Sequence, residues 1–184
     1  MTSRIRFKLK PEKLVETILY LARQELELDQ YKLVKLLYLA DRDHFRRFRR
    51  PISFDRYVAM QYGPVASYAL RLIKGGKVTG IDRSDLPFEF KKLDKLIFIE
   101  RPKRDIKRDL FSKSDLMVLD QTVATYGAMG FHALYRLTHD HYAYDRAWSA
   151  RKTDADEMRF EDFLDETADK EALVEDLAFV SQGI

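Results

Sequence analysis

Two groups of histidine and aspartate residues are the parts of this sequence whose types and spacing could do chemistry. The first is Thr138-His139-Asp140-His141, with Asp145 close behind it, a combination that could bind a divalent cation or serve a hydrolase. Two histidines separated by one residue do not share a helix face, and the spacing matches no known metal signature. We therefore expect His139 to end a helix and bond backbone carbonyls, with Trp148 packed against it. Metal binding and hydrolysis remain the alternatives.

The second group is Asp41-Arg42-Asp43-His44, in which Asp41 and His44 are spaced to share one face of a helix. Such a pair could poise a general base. The sequence has no cysteine, and no serine nucleophile motif, phosphate-binding loop or paired catalytic carboxylates accompany the pair. We expect an ion pair or a core anchor here. The sequence thus predicts a protein that is not an enzyme and has no catalytic residue, cofactor or metal.

A basic run, Arg46–Arg50, ends the same predicted helix and is interleaved with Phe45 and Phe48. Together with Lys103–Arg108 it could grip phosphates, which makes a DNA-binding regulator of its own operon the alternative function. No helix-turn-helix pattern surrounds the run. A solvated helix end, or a patch that docks an acidic partner, is the interpretation we favour.

The elements that must position these groups are mostly helices. Pro11 suits a first helical position, Asp29 and Ser112 suit N-caps, and Ser112 with Asp115 has the spacing of a capping box. The predicted helices cover residues 11–27, 30–48, 64–74, 113–126, 129–138 and 142–150, and one more lies in the acidic tail. Residues 52–62 are predicted to be extended or irregular, and one short hairpin or small sheet is predicted within 77–101. The fold class is mainly α, a compact bundle of about six or seven helices with one small β-hairpin or sheet.

Two finer expectations concern helix ends. Gly63 can adopt a positive φ and Pro64 is predicted to start a helix, whose free N–H groups could bind an anion. In the last helix, Leu173, Leu177 and Val180 are predicted to form one apolar face.

Length and composition limit the classes of protein. The 184 residues suit one domain, which we divide into a core over 10–150 and an acidic helical extension over 151–184. The absence of cysteine excludes disulfides and thiolate chemistry and fits a reducing cytoplasm. The sequence shows no signal peptide and no membrane-spanning run, so we expect a cytoplasmic protein without a membrane partner.

Charge is distributed unevenly along the chain. Residues 1–50 hold 13 Lys and Arg against 7 Asp and Glu, whereas residues 154–176 hold 2 against 11. Either the acidic tail lies near the basic first half, or both are solvated, or one end engages a charged partner.

Three segments together resemble one family. The first is Lys32-Leu33-Val34-Lys35-Leu36-Leu37-Tyr38-Leu39-Ala40-Asp41, the second is Tyr62-Gly63-Pro64-Val65, and the third runs from Phe111-Ser112 through Tyr126-Gly127 to Leu137-Thr138-His139 and closes at Ala147-Trp148. Their order and spacing, over roughly residues 10–150, resemble the Panacea domain of SocA-like antitoxins. The residues that carry the family motif are Lys35, Leu36, Leu37, Tyr38, Asp41, Tyr62, Gly63, Pro64, Tyr126, Gly127, Thr138, His139 and Trp148.

The resemblance implies a helix-dominated antitoxin that inhibits a neighbouring gene's toxin by direct binding. A protease is a second partner that it suggests, since some members are similar to proteolytic adaptors. It implies no cofactor and no catalytic residue. The sequence leaves the toxin, its target and self-association open.

The contact surface is predicted from aromatic and basic residues, because aromatic side chains dominate binding hot spots. We expect it over residues 45–62 and the hairpin, with any exposed aromatics near Tyr142 and Tyr144 as further anchors. The candidate partner-binding residues are Phe45, Arg46, Arg47, Phe48, Arg49, Arg50, Phe54 and Tyr57.

Overall fold

A computed structural model of the protein describes residues 5–24, 26–165 and 170–181. Expectations that fall elsewhere, such as Glu25 in the first predicted helix and residues 166–169 of the acidic segment, lie outside the described residues. Within the described ranges, seven α-helices and two small antiparallel sheets form a mainly α fold. The same ranges include no helix long and apolar enough to cross a membrane.

The bounds of the elements follow the chain in this order. The helices are α1 Pro11–Ala22, α2 Gln30–Phe48, α3 Ser67–Ile73, α4 Lys113–Tyr126, α5 Phe131–His139, α6 Tyr142–Ser149 and α7 Lys170–Ser181. The strands are β1 Tyr57–Met60, β2 Gly63–Ala66, β3 Glu89–Leu93, β4 Leu96–Glu100 and β5 Asp156–Glu157. One sheet has the strand order β2-β1-β5, and β3 and β4 form the other as the predicted hairpin.

Helix α2 is the centre of the core, as its apolar pattern predicts. Every residue from 33 to 41 is buried, and the helix packs against α1, α3, α4, α5 and β2. The Asp29 carboxylate accepts a hydrogen bond of 2.7 Å from the Lys32 N–H, which confirms the predicted N-cap. At the other end Arg49 has a φ of 64°, and Pro51 follows, so the helix stops where the sequence predicted.

Helix α1 ends five residues earlier than expected, because the chain after it pairs with β4. The N–H of Ile99 donates to the carbonyl of Leu28 at 2.9 Å, and Asp29 forms a bridge with Phe98. Leu28 must leave the path of the helix to reach β4, so the chain departs from the helix before the local pattern ends.

The predicted helix over 64–74 begins later, at Ser67, because Pro64 lies in β2. Pro64 pairs with Ala59 in β1, and β2 is an edge strand, where a residue without an N–H is tolerated. The Asp55 carboxylate accepts hydrogen bonds from the N–H groups of Tyr68 (2.8 Å) and Ala69 (2.9 Å). The start of this helix is thus capped by the chain's own carboxylate, which leaves no place for the anion considered from the sequence.

The later helices agree with the sequence in most respects. Ser112 and Asp115 form the predicted capping box of α4. In α7, Leu173 and Leu177 are partly buried against the core, but Val180 is 50% exposed and Ala178 is buried instead. The expected apolar face of the last helix is therefore wrong at Val180.

Candidate partner-binding face

A row of ring side chains crosses one side of the molecule. Phe131, Tyr135 and His139 are spaced by four residues on α5, so they lie along one side of that helix. The ring centroids of Phe131 and Tyr135 are 6.1 Å apart, and those of Tyr135 and His139 are 3.7 Å apart and stacked. We define the aromatic face as the rings of Tyr31, Tyr62, Phe131, Tyr135, His139, Tyr144 and Trp148.

The two ends of α5 extend this row onto neighbouring elements. At the start of α5, the Phe131 ring lies 4.2 Å from Tyr31 of α2 and 6.1 Å from Tyr62 of the β1–β2 turn. At its end, His139 lies 4.5 Å from Tyr144, which stacks on Trp148 one turn further along α6. The aromatic face therefore unites four separate parts of the chain.

The face is largely aromatic and is most open to solvent near the start of α5. Tyr62 is 55% exposed and Phe131 is 44% exposed, while Tyr31, Tyr135, His139 and Trp148 are partly buried. Large aromatic side chains that are exposed and supported by neighbouring rings are the residue type that most often anchors protein–protein interfaces. The arrangement suits the burial of a partner's apolar segment.

Directly beneath the rim of this face lies the amine of Lys35, which is fully buried. Its Nζ donates a 2.8 Å hydrogen bond to the carbonyl of Pro64 and lies 5.0 Å from the centroid of the Tyr31 ring. No carboxylate in the described ranges forms an ion pair with it. Burial lowers the pKa of the Lys35 amine to about 7.

Gly63 is required at the tight approach between this amine and the β1–β2 turn. Its φ is +98°, in the left-handed region, which confirms the prediction of a positive φ. A Cβ at this position would lie 2.5 Å from Lys35 Nζ, 3.0 Å from His139 Cε1 and 3.1 Å from Thr138 Oγ1. The motif glycine therefore leaves room for side chains that come from the other two motif segments.

His139 contacts backbone carbonyls of both α5 and the β1–β2 turn, as expected from the sequence. Its Nδ1 lies 2.7 Å from the carbonyl oxygen of Tyr135 and its Nε2 lies 3.3 Å from that of Gln61. The hydroxyl of Tyr144 donates to the carbonyl of Met60 at 2.9 Å. The rings that lie against the imidazole are Tyr135 and Tyr144, and not Trp148 as predicted.

His141 and Asp145 do not join His139 in one site. The hydroxyl of Tyr38 lies 3.0 Å from His141 Nδ1, and burial lowers the pKa of His141 to about 4. Asp145 is exposed and accepts a hydrogen bond from Ser149. Among the described residues, no group of three or more His, Asp or Glu side chains is arranged to hold a metal ion.

Asp41 and His44 also have separate roles. The Asp41 carboxylate accepts hydrogen bonds from Ile52 N (2.8 Å), Ser53 N (2.9 Å), Ser53 Oγ (2.6 Å) and Tyr57 Oη (2.7 Å). It thereby fixes the chain that leads from α2 into β1. Burial raises the pKa of Asp41, and these hydrogen bonds oppose that rise. The acid is a core anchor, one of the two roles expected from the sequence.

His44 belongs to a buried ion cluster at the start of α4. Its Nδ1 lies 2.7 Å from the carbonyl of Arg50, and its Nε2 lies 3.0 Å from Asp115 Oδ1. The same carboxylate pairs with Lys13 at 2.6 Å and with Arg50 at 2.8 Å. Burial of the Asp115 side chain opposes ionisation, but hydrogen bonds from His44 and Lys13 outweigh it and hold its pKa well below the usual range. The cluster joins α1, α2 and α4.

The basic run at the end of α2 is largely paired within the chain. Arg46 contacts Asp165 at 2.7 Å, Arg47 contacts Asp43 at 3.0 Å, Arg50 contacts Asp115, and Arg49 donates to the carbonyl of Arg46. Asp165 precedes α7, so one acidic residue of the tail does lie against the basic first half. Phe48 is 39% exposed.

Three of the predicted contact residues are in the core. The exposed fractions of Phe45, Phe54 and Tyr57 are 0%, 3% and 1%, and their rings pack with Phe7 or Phe160. They cannot anchor a partner while the fold is intact. Partner binding by Arg46, Arg47, Phe48, Arg49 and Arg50 stays a prediction.

The remaining motif residues are buried or join neighbouring elements. Leu36, Leu37 and Tyr38 are in the core, and Thr138 is fully buried beside Gly63. The carbonyl of Gly127 accepts a 3.1 Å hydrogen bond from Lys32 Nζ, which ties the Tyr126-Gly127 segment to the start of α2.

Sequence reasoning missed Tyr31, Phe131 and Tyr135 as site residues. The four-residue spacing of Phe131, Tyr135 and His139 within a predicted helix was the available signal, because it places all three on one side of that helix. It did not show that this side faces the solvent.

Comparison with known proteins places the chain in a family. A sequence model described as antitoxin SocA-like, Panacea domain, matches residues 33–148. No curated protein and no solved structure matches the chain. The match covers more than half of the chain and includes every ring of the aromatic face except Tyr31. The chain therefore belongs to the SocA-like, Panacea-domain antitoxin family.

Proposed function

We propose that this protein neutralises a cognate toxin by direct binding and that the aromatic face is the contact surface. The observation that carries the proposal is the convergence of all three motif segments on one place. Lys35 of α2 and His139 of α5 are far apart in sequence yet both lie against Gly63 of the β1–β2 turn. A set of motif residues that meets beneath an exposed apolar surface supports a binding role.

The chemistry of the face favours a protein partner. Exposed rings on a well-packed support lose little side-chain entropy on binding, because they are already held by their neighbours. Burial of Tyr62 and Phe131 would supply the apolar centre that stable interfaces have, within an area of roughly 800 Å² per partner. Inhibition would follow from steric occlusion of the toxin.

The experiment that tests this function is a growth assay with the adjacent open reading frame. That gene is expressed alone, with this gene, and with a Tyr62→Ala/Phe131→Ala variant. We expect the neighbour alone to stop growth, the wild-type protein to restore it, and the double variant to fail although it accumulates to the same level. A harmless neighbour, or a toxin that stays active beside the wild-type protein, would exclude the proposal.

Repression of its own operon and delivery of the toxin to a protease are two further roles that can be tested separately from neutralisation. Repression of its own operon would need free cations, but Arg46, Arg47 and Arg50 are paired with carboxylates of the same chain. A promoter-DNA shift that weakens steeply with added salt would support that role. Delivery of the toxin to a protease would show as toxin loss that depends on this protein.

A further inference from the structure

The amine of Lys35 has unused capacity to donate hydrogen bonds. A charged amine has three N–H donors, and within the described residues the carbonyl of Pro64 is the one acceptor of Lys35 Nζ. The side chain is fully buried and lacks an ion-pair partner in the same ranges. A buried amine with spare donors and no counter-charge is a site that an anion would complete.

The partly exposed ring of Tyr31 lies close to this amine. Its centroid is 5.0 Å from Nζ, and its hydroxyl donates a long hydrogen bond of 3.3 Å to the carbonyl of Tyr62. Tyr62 is among the most exposed rings of the molecule. A group that reaches the amine from the aromatic face would have to displace the Tyr31 ring.

We propose that Lys35 is the receptor for a carboxylate of the toxin, which enters beneath Tyr31 as the toxin docks on the aromatic face. The carboxylate belongs either to the toxin's C-terminus or to an Asp or Glu side chain, since both present the same two oxygens. This inference rests on the proposed function, because it names the chemistry that the aromatic face would recognise.

The surroundings of Lys35 supply no competing negative charge. The titratable groups on the elements around it include Tyr31, Lys32, Asp41 and Asp43 on its own helix, Tyr62 of the turn, His132, Tyr135, Arg136 and His139 on α5, and Tyr142, Tyr144 and Asp145 on α6, and these three carboxylates bond to groups other than Lys35. Burial raises the pKa of Tyr31 and raises that of Tyr144 to about 12, so both are neutral phenols at pH 7. Burial alone accounts for the lowered pKa of Lys35. A carboxylate of the toxin would be the first negative charge to pair with the Lys35 amine.

Proton uptake follows from this pairing. In the free protein the amine is partly neutral at pH 7, whereas beside a carboxylate the charged form is favoured. Toxin binding therefore takes up a proton, and affinity falls as the pH rises above about 7, by up to tenfold per pH unit until the pKa of the bound form is reached.

The test measures the affinity of the neighbouring gene's product by calorimetry between pH 6.5 and 9. Lys35→Met keeps the length of the side chain and removes its charge, and Lys113→Met is the control, since it makes the same change at an exposed lysine of α4. We expect Lys35→Met to lose about 30-fold or more at pH 7 and to show a flatter pH profile, and Lys113→Met to stay within about threefold. The steep profile must persist in His139→Asn, which removes the nearby imidazole.

Changes on the toxin distinguish the two sources of the carboxylate. An amidated C-terminus, or one Asp→Asn or Glu→Gln substitution, should reproduce the loss and should have little further effect on Lys35→Met. Wild-type-like binding by folded Lys35→Met, or a flat wild-type profile, would overturn the inference while leaving the proposed function intact. If the wild-type protein binds no toxin, both proposals fall. If Lys35→Met does not fold, the inference is tested by the pH profile of wild-type affinity and by the toxin variants.

Discussion

The backbone of Gly63 lies so close to the side chain of Lys35 that a Cβ at position 63 would be 2.5 Å from Nζ. The amine is fully buried and donates a 2.8 Å hydrogen bond to the carbonyl of Pro64, so a shift away from position 63 would disturb that bond. The positive φ of Gly63 adds a conformational cost for any other residue. The buried position of the Lys35 amine therefore requires that residue 63 has no side chain.

Gly63→Ala is expected to lower the free energy of unfolding by about 1–3 kcal/mol, because it combines strain at a positive φ with a collision at Lys35. The matched control is Gly130→Ala, since φ is −79° there and a Cβ would meet nothing within 4 Å. Urea unfolding of both variants measures the difference. Equal losses in the two variants would argue against the close approach.

Asp41→Ala is expected to destabilise the fold by about 2–4 kcal/mol, because it leaves the buried N–H groups of Ile52 and Ser53 without their acceptor. Asp43→Ala removes an exposed carboxylate two positions away, whose contact is a surface pair with Arg47, and should change stability by less than about 1 kcal/mol. Thermal or urea unfolding compares them. A small loss in Asp41→Ala would mean that the acid is not the anchor described above.

Lys35 should make stability depend on pH with a defined sign. Its folded pKa of about 7 lies below the ordinary value of 10.5, so between these values the unfolded chain binds a proton that the native state does not. Stability from this residue is therefore complete only above about pH 10.5 and is lost as the pH falls towards 7.

Comparison with Lys35→Met isolates that contribution from other titrating groups. Between pH 7 and pH 9 the wild-type protein should gain about 2 kcal/mol relative to the variant, in urea unfolding at each pH. Parallel pH profiles for the two proteins would show that the amine is charged in the native state. The prediction concerns the isolated protein and needs no toxin.

Local signals in the sequence predicted much of the fold. The bounds of α2, its Asp29 cap and the Ser112–Asp115 capping box were correct, because they depend on side chains that act within a few residues. Pro64 was assigned to a helix and lies in an edge strand, because it pairs with Ala59 across a tight hairpin, whereas proline by itself favours the start of a helix. The short strand β5, which completes that sheet, has no local signature at all.

The candidate site was harder to predict than the helices that carry it. The motif residues around Lys35 and Gly63 were identified, but their meeting point was not, since it depends on how α2, α5 and the β1–β2 turn pack. Phe54 and Tyr142 are both aromatic residues that the sequence offers as possible contact anchors, yet Phe54 is 3% exposed and Tyr142 is 45% exposed. Sequence pattern alone does not separate the two cases, because which ring faces solvent is decided by tertiary packing.

The most direct test of the account is the affinity of the neighbouring gene's product for the purified protein and three variants. Tyr62→Ala/Phe131→Ala removes the two most exposed rings of the aromatic face. Phe179→Ala removes the ring of α7 that is 86% exposed, and Arg47→Ala/Phe48→Ala removes the basic surface predicted from sequence. We expect the first variant to lose about 30-fold or more, and the other two to bind within about threefold of the wild type. Wild-type affinity in the first variant, with a loss in Arg47→Ala/Phe48→Ala, would contradict the aromatic face as the contact surface.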